Sequence, residues 1–198
     1  MRVLVIGGSG TICSEVVKAF EARHDVVSAS RNGAVKVNID DPESIRAMYR
    51  EVGAVDAVVS AAGIAAFKPL TALTDADFKL SLTSKLMGQV NVVRFGLQAV
   101  RDGGSFTLTS GVLAQQPMEG SAAVSLVNAG IEGFGRAAAL ELKPRNIRVN
   151  VVSPGWVWET LAAMGQDPAN GVRASQVAKS YVKCVEGSES GVVIGATK

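Results

Sequence analysis

Val3-Leu4-Val5-Ile6-Gly7-Gly8-Ser9-Gly10-Thr11-Ile12-Cys13 decides how this chain folds. A β-branched apolar run ends in glycines and passes directly into a helical pattern carrying Val16, Val17 and Phe20. The first amides of a helix have no acceptor within it, and the helix dipole is positive at that end, so such a handover suits a pyrophosphate. Gly7, Ser9, Gly10, Thr11 and Ile12 are expected to cradle it. The glycines allow a tight turn and close backbone approach to the ligand. Where dinucleotide-binding loops carry a last glycine, so that the helix packs on the sheet, this chain has Cys13, small enough to serve.

Outward from this loop, β-branched runs at residues 26–30, 35–39, 57–60, 105–109, 147–152 and 192–194 predict further strands. Stretches of helical period lie between them. Asp41-Pro42 opens one that carries Ile45, Met48, Tyr49 and Val52. Thr74-Asp75-Ala76-Asp77 resembles a capping box and starts a long helix to about residue 100, after which Gly103-Gly104 releases a strand. A small-residue helix spans 122–142 before Pro144, and another spans 175–185. The alternation predicts an α/β chain: one doubly wound Rossmann-type domain over residues 1–198, with a mainly parallel sheet flanked by helices. One local conflict stays open. Only Asn32-Gly33 and their neighbours separate the second and third strands, which signals a hairpin, whereas a parallel pair normally needs a long crossover. Either the two pair antiparallel, or the third is very short.

Composition narrows the function. With 198 residues, 47% hydrophobic and only 19% charged, the chain is not a disordered polymer. Twenty Lys+Arg against eighteen Asp+Glu, without a long basic run, give no field for nucleic acid or an anionic membrane. No run of eighteen apolar residues exists to span a bilayer, and the first residues reach glycine before a signal-peptide core forms, so a cytoplasmic location is expected. Cys13 and Cys184 lack metal or redox spacing and there is one histidine, so no metal site is expected.

The end of the second strand points to the cofactor. NAD sites place a carboxylate there for the ribose hydroxyls, but this chain reads Ser30-Arg31-Asn32 and has no acidic residue from 26 to 39. A guanidinium flanked by a hydroxyl and an amide suits a 2′-phosphate, which makes NADP(H) the expected cofactor. The plain alternative is a solvated loop arginine.

At this point the chain resembles the short-chain dehydrogenase/reductase family along nearly its whole length. The matching pieces are the loop at residues 7–13, Ser60-Ala61-Ala62-Gly63 where the family has Asn-Asn-Ala-Gly, Ser110 at the end of the fifth strand, and Asn150-Val151-Val152-Ser153-Pro154-Gly155. The resemblance implies adenine contacts near Asn38, Ile39 and Asp40, with Asn38 standing where the family is acidic. It also implies ribose contacts at Ala61, Ala62 and Gly63, and nicotinamide contacts from Pro154, Gly155 and Val157. The catalytic positions depart from the family. Its Tyr-x-x-x-Lys aligns with Val124 to Asn128, and its Asn-x-x-Gly with Lys85-Leu86-Met87-Gly88. The tyrosine serves as acid or base and the lysine lowers its pKa, a function valine lacks. Tyr49 and Tyr181 sit on other predicted helices.

Ser110 remains to orient a carbonyl. Lys85 and Asn128 read either as an exchange of lysine and asparagine between facing helices, keeping both near the ribose, or as drift in a site without proton transfer. Two functions follow. One is an NADP-dependent reductase of a small carbonyl or alcohol, with Ser110, Lys85 and Asn128 at its catalytic centre; the other is a non-catalytic NADP(H)-binding sensor or regulator. Trp156 and Trp158 fall where the family begins its substrate-covering segment, so one ring is expected at the pocket and one on the sheet, unless both are core. Family members pair through the helices that here carry Gly88, Gly96, Gly130, Gly133 and Gly135, so a homodimer or homotetramer is expected.

Overall fold

The computed structural model describes residues 1–8 and 10–196. Its strands are β1 (Arg2–Ile6), β2 (Asp25–Ser30), β3 (Val35–Lys36), β4 (Val55–Ser60), β5 (Val100–Thr109), β6 (Arg148–Pro154) and β7 (Val193–Ala196). All pair in parallel, in the order β3-β2-β1-β4-β5-β6-β7. The helices are α1 (Thr11–Glu21), α2 (Pro42–Val52), α3 (Asp75–Ser81), α4 (Gly88–Gly96), α5 (Ala122–Glu141), α6 (Trp158–Ala163) and α7 (Ala174–Glu186). Alternate strand residues point to opposite faces. Leu4, Ile6, Val58, Phe106 and Val149 meet Ile45, Met48, Val92 and Ile131 from α2, α4 and α5. Val3, Val5, Ala57 and Val59 meet Val16, Phe20, Val177 and Tyr181 from α1 and α7. Covering on both faces is why the strands read as continuous apolar runs.

The structure decides the conflict at β2 and β3 in favour of a very short parallel strand, Val35–Lys36, against the 35–39 expected. Neither Asn32 nor Gly33 adopts the positive φ that a two-residue hairpin of this type requires. The chain leaves the sheet after Lys36 because Ile39 is buried under the helical layer, so closely that a Cβ on Gly88 would come within 2.9 Å of its side chain.

The capping box at Thr74 and Asp77 is present. The long helix expected from it is not continuous: α3 and α4 are joined by a π-helical turn over Leu82–Met87, and α4 stops at Gly96. β5 accordingly starts at Val100, before Gly103-Gly104, with a break in register against β4 between Val55 and Ala57. The turn is tied to the sheet by Gln89, fully buried, whose amide donates to the carbonyls of Lys85 (3.3 Å) and Thr109 (2.8 Å) and accepts from the Thr109 amide (2.8 Å). Such local widening of a helix often marks a functional position. α6 was not foreseen in the sequence.

Most of the helix glycines serve the fold itself. A Cβ on Gly96 would lie 2.6 Å from the Tyr49 hydroxyl, one on Gly135 2.6 Å from Val151, and one on Gly130 3.2 Å from Leu86. Gly133 has open space around it.

Candidate functional site

The strand order reverses between β1 and β4, and the crevice outside the carboxyl ends of these strands is where open α/β sheets bind ligands. Gly7 turns the chain there with φ 99°, its amide donating to the Ala29 carbonyl at 2.8 Å, and the Gly10 amide donates back to Gly7 at 2.8 Å. A Cβ on Gly7 would stand 3.2 Å from both Ala62 and Cys13, so the loop, β4 and α1 converge on this point. α1 has no side-chain cap and no acidic residue in its first turn, which leaves its positive end open to an anion. Thr11 is exposed at the first position of α1. Ser9 lies outside the described residues.

A cavity of about 250 Å³ extends from this loop, lined by Gly7, Gly10, Ser30, Arg31, Asn32, Asn38, Ile39, Asp40, Ala61, Ala62 and Gly63. The structure thus brings together residues from four separate stretches of sequence. Arg31 is exposed beyond β2 and makes no hydrogen bond or ion pair among the described residues. Asn38 shapes its own loop: its side-chain oxygen accepts from the Asp40 amide at 3.3 Å, and its amide donates to Ser44 at 2.9 Å.

A second cavity, about 240 Å³, shares Ala61 with the first and is lined by Ile12, Lys85, Ser110, Asn128, Pro154, Gly155, Trp156 and Val157 among others. Lys85 reaches it from the π-helical turn, passing Gly63 so closely that a Cβ there would lie 2.9 Å from the Lys85 Cα. Its ammonium has no hydrogen-bond or ion-pair partner among the described residues, and burial pushes it down to about 8. Asn128 is buried on α5 with its side-chain oxygen unpaired, an orphaned acceptor of the kind a ligand hydroxyl satisfies.

Ser110, buried at the end of β5, donates to Glu132 at 3.0 Å, and Gln115 donates to the other carboxylate oxygen at 2.7 Å. Sequence reasoning missed Glu132 and Gln89. For Glu132 the signal was available, because it falls one helical turn beyond Asn128 on the stripe that also holds Val124.

Neither tyrosine offers a free phenol. Tyr49 donates to the Val92 carbonyl at 2.8 Å, and Tyr181 donates to the Thr109 hydroxyl at 2.7 Å, which itself donates to the Ser60 carbonyl. Burial raises both phenols far above their usual range. The Cys13 thiol, on α1, packs against the sheet, where it donates to the Ile6 carbonyl at 3.4 Å, and is pushed up to about 12 by burial, so its role there is packing. Trp156 lines the second cavity and meets Phe67 edge-on, ring centres 6.3 Å apart. Trp158 lies instead beneath the Arg173 guanidinium, 3.5 Å from its ring centre.

This geometry has known relatives. Residues 11–192 match the family model described as enoyl-(acyl carrier protein) reductase. The chain belongs to the short-chain dehydrogenase/reductase family. Within it, the hydroxynaphthalene reductase arp2 of Aspergillus fumigatus is 30% identical over 152 residues, covering 76% of this chain and 55% of that protein. The rat 3-oxoacyl-[acyl-carrier-protein] reductase is 32% identical over 111 residues, 56% of this chain and 47% of its own, so the chain spans about half the length of these relatives. Among solved structures, the protein lin1944 from Listeria innocua superposes with a TM-score of 0.94 at 38% identity, over 98% of both chains. A small-chain dehydrogenase in complex with NADPH gives 0.87 at 29% identity, over 98% of this chain and 95% of that one.

Proposed function

We propose that this family member binds NADP(H) and works as an oxidoreductase on a small carbonyl or alcohol, with Lys85 as its acid and base. The unpartnered Lys85 ammonium in the second cavity carries this reading. Below about pH 8 it can give a proton to a carbonyl oxygen, and above it the amine can take one from an alcohol. The open end of α1 and the loop at Gly7 and Gly10 would hold the pyrophosphate, Arg31 with Ser30 and Asn32 the 2′-phosphate, and Asn38, Ile39 and Asp40 the adenine side. Ala61, Ala62 and Gly63 would flank the ribose, whose hydroxyl the orphaned Asn128 oxygen can accept, and Pro154, Gly155 and Val157 the nicotinamide. When bound, the nicotinamide supplies or accepts the hydride. Ser110, in the wall of the second cavity, would hydrogen-bond the substrate oxygen. The NADPH complex of a relative at 29% identity supports the choice of cofactor.

The test is a panel of aldehydes, ketones and quinones incubated with NADPH, with NADPH binding measured separately. Turnover is expected, and Lys85→Met should cut it by about 10²–10⁴-fold while NADPH still binds. A second reading, a non-catalytic NADP(H) sensor or regulator, draws on Val124 at the family's tyrosine position and on the two engaged phenols. Binding without turnover across the panel would favour it.

A homodimer or homotetramer is part of the proposal. Its support is the exposure of Leu82, Met87, Leu126 and Leu140 on the π-helical turn and α5, apolar side chains that a second copy would cover. Sedimentation velocity at micromolar concentration should show dimer or larger, and monomer alone would reject it. Two free, buried cysteines agree with a reducing compartment, and we assign the chain to the cytoplasm.

A further inference from the structure

A serine hydroxyl normally meets a ligand with either polarity, because it can donate its one proton or accept through its lone pairs. At Ser110 that choice has been made inside the protein. Its proton points to Glu132 Oε1 at 3.0 Å, while Glu132 Oε2 accepts from Gln115 Nε2 at 2.7 Å and lies 4.0 Å from the Arg136 guanidinium. Glu132 is itself buried on α5 and faces donors at both oxygens. Ser110 therefore presents lone pairs to the second cavity, which the Lys85 ammonium, a donor only, also lines.

We infer that Glu132 is a positioning residue that fixes Ser110 as a hydrogen-bond acceptor and thereby selects ligands that enter the second cavity through a hydroxyl over the matching ketones. A hydroxyl satisfies both groups, donating to Ser110 and accepting from Lys85. A ketone can accept from Lys85 or from the Asn128 amide but has no proton to give, so it sets its oxygen against the lone pairs of Ser110 and leaves a buried acceptor unmet. Asn128, Thr109 and Thr160 also reach the wall, but Ile12, Val112, Leu113, Trp156 and Val157 give it a mainly apolar lining, so the ligand class is a small neutral alcohol with an apolar body. This rests on reading the second cavity as the substrate side of the proposed site, and does not depend on which cofactor binds.

The experiment titrates cyclohexanol and cyclohexanone separately into the isotope-labelled full chain without cofactor, following backbone amides by NMR. Cyclohexanol is expected to bind about tenfold more tightly, by the cost of an unmet buried hydrogen bond, with shifts centred on Ser110 and Gly111. Glu132→Leu should abolish the preference by freeing the Ser110 proton. Glu132→Gln should keep it, because an amide oxygen can still accept that proton while the Gln115 amide turns to meet the new NH₂ group. Ser110→Ala, which removes the acceptor itself, should also abolish it and carries the test if Glu132→Leu fails to fold. Equal affinities in the unaltered chain, binding of neither probe, or a preference that survives in Glu132→Leu or Ser110→Ala overturns the inference. An NADPH titration run in parallel bears on the cofactor alone: its failure would remove the NADP(H) reading and leave the alcohol preference standing or falling on its own data.

Discussion

Arg31→Asp is expected to reverse the order of cofactor affinity, from NADPH before NADH in the unaltered chain to NADH before NADPH in the variant. Arg31 stands just beyond the end of β2, in the wall of the first cavity, with its guanidinium uncommitted. A bidentate contact from it to a 2′-phosphate is charge-assisted, and losing one such contact costs about 2 kcal/mol, roughly thirtyfold in affinity. The aspartate adds repulsion against the phosphate and supplies the carboxylate that accepts from a ribose 2′-hydroxyl in NAD sites. Because Arg31 is exposed, its share of NADPH binding should weaken as salt rises, whereas NADH affinity should change little. Calorimetric titration at two ionic strengths checks both points. Equal affinities for the two cofactors in the unaltered chain would remove Arg31 from the site.

What the sequence made legible is what local chemistry determines. The passage from β1 through the glycine loop into α1 could be read directly, as could Asp41 capping α2 and Thr74 capping α3, because each depends on residues a few positions apart. The misreadings share a cause in distant contacts. The helix after Thr74 looked continuous because nothing within it breaks the period; the π-helical turn is held by Gln89 reaching Thr109 on β5, a partner 20 residues away. Asn32-Gly33 carried a hairpin signal, but burial of Ile39 beneath Gly88 fixes where the chain must go next and leaves room for only a two-residue parallel strand. Gly96 and Gly135 suggested a partner chain, and their close neighbours are Tyr49, Phe106 and Val151 of the same one. The site followed a similar division. Its members were visible singly, while their meeting in two adjoining cavities is a consequence of strand order: β1, β4, β5 and β6 are consecutive neighbours, so the loops at their ends converge. Glu132 is a buried charge on a stripe otherwise read for its missing tyrosine and lysine, and its importance appears only when Ser110 is placed against it.

Lys85→Met is expected to make the protein more stable at neutral pH, and the advantage should disappear as pH rises. The Lys85 ammonium is held down to about 8 from 10.5, chiefly by burial. Below about pH 8 folded and unfolded chains both carry the charge, and the folded one bears the cost of desolvating it. Between about 8 and 10.5 the folded chain gives up its proton while the unfolded chain keeps it, so the unfolded state binds more protons and stability rises with pH. Above 10.5 both are neutral and the cost is gone. Methionine keeps an apolar stem of similar length beside Gly63 without the charge, so the gain near pH 7 should be about 1–3 kcal/mol, the range a shift of this size allows once partial exposure of Lys85 is discounted.

The two buried cysteines work in the opposite sense. Their thiols are pushed up to about 12, so above about 9 the folded state holds protons that the unfolded state loses, and stability falls. The total stability curve therefore mixes opposing trends, and the informative quantity is the difference between Lys85→Met and the unaltered chain in urea melts from about pH 7 to about pH 10.5, where the Cys184 contribution cancels and Cys13, on which the Lys85 charge is the smallest influence, leaves a minor remainder above about pH 9. A variant less stable than its parent at neutral pH would mean that the ammonium has a compensating partner in the folded protein, and would undercut Lys85 as a free acid. A gain in stability accompanied by loss of turnover is what a charge maintained at a cost for chemistry predicts, since residues kept for packing alone do not stabilise the fold by being removed.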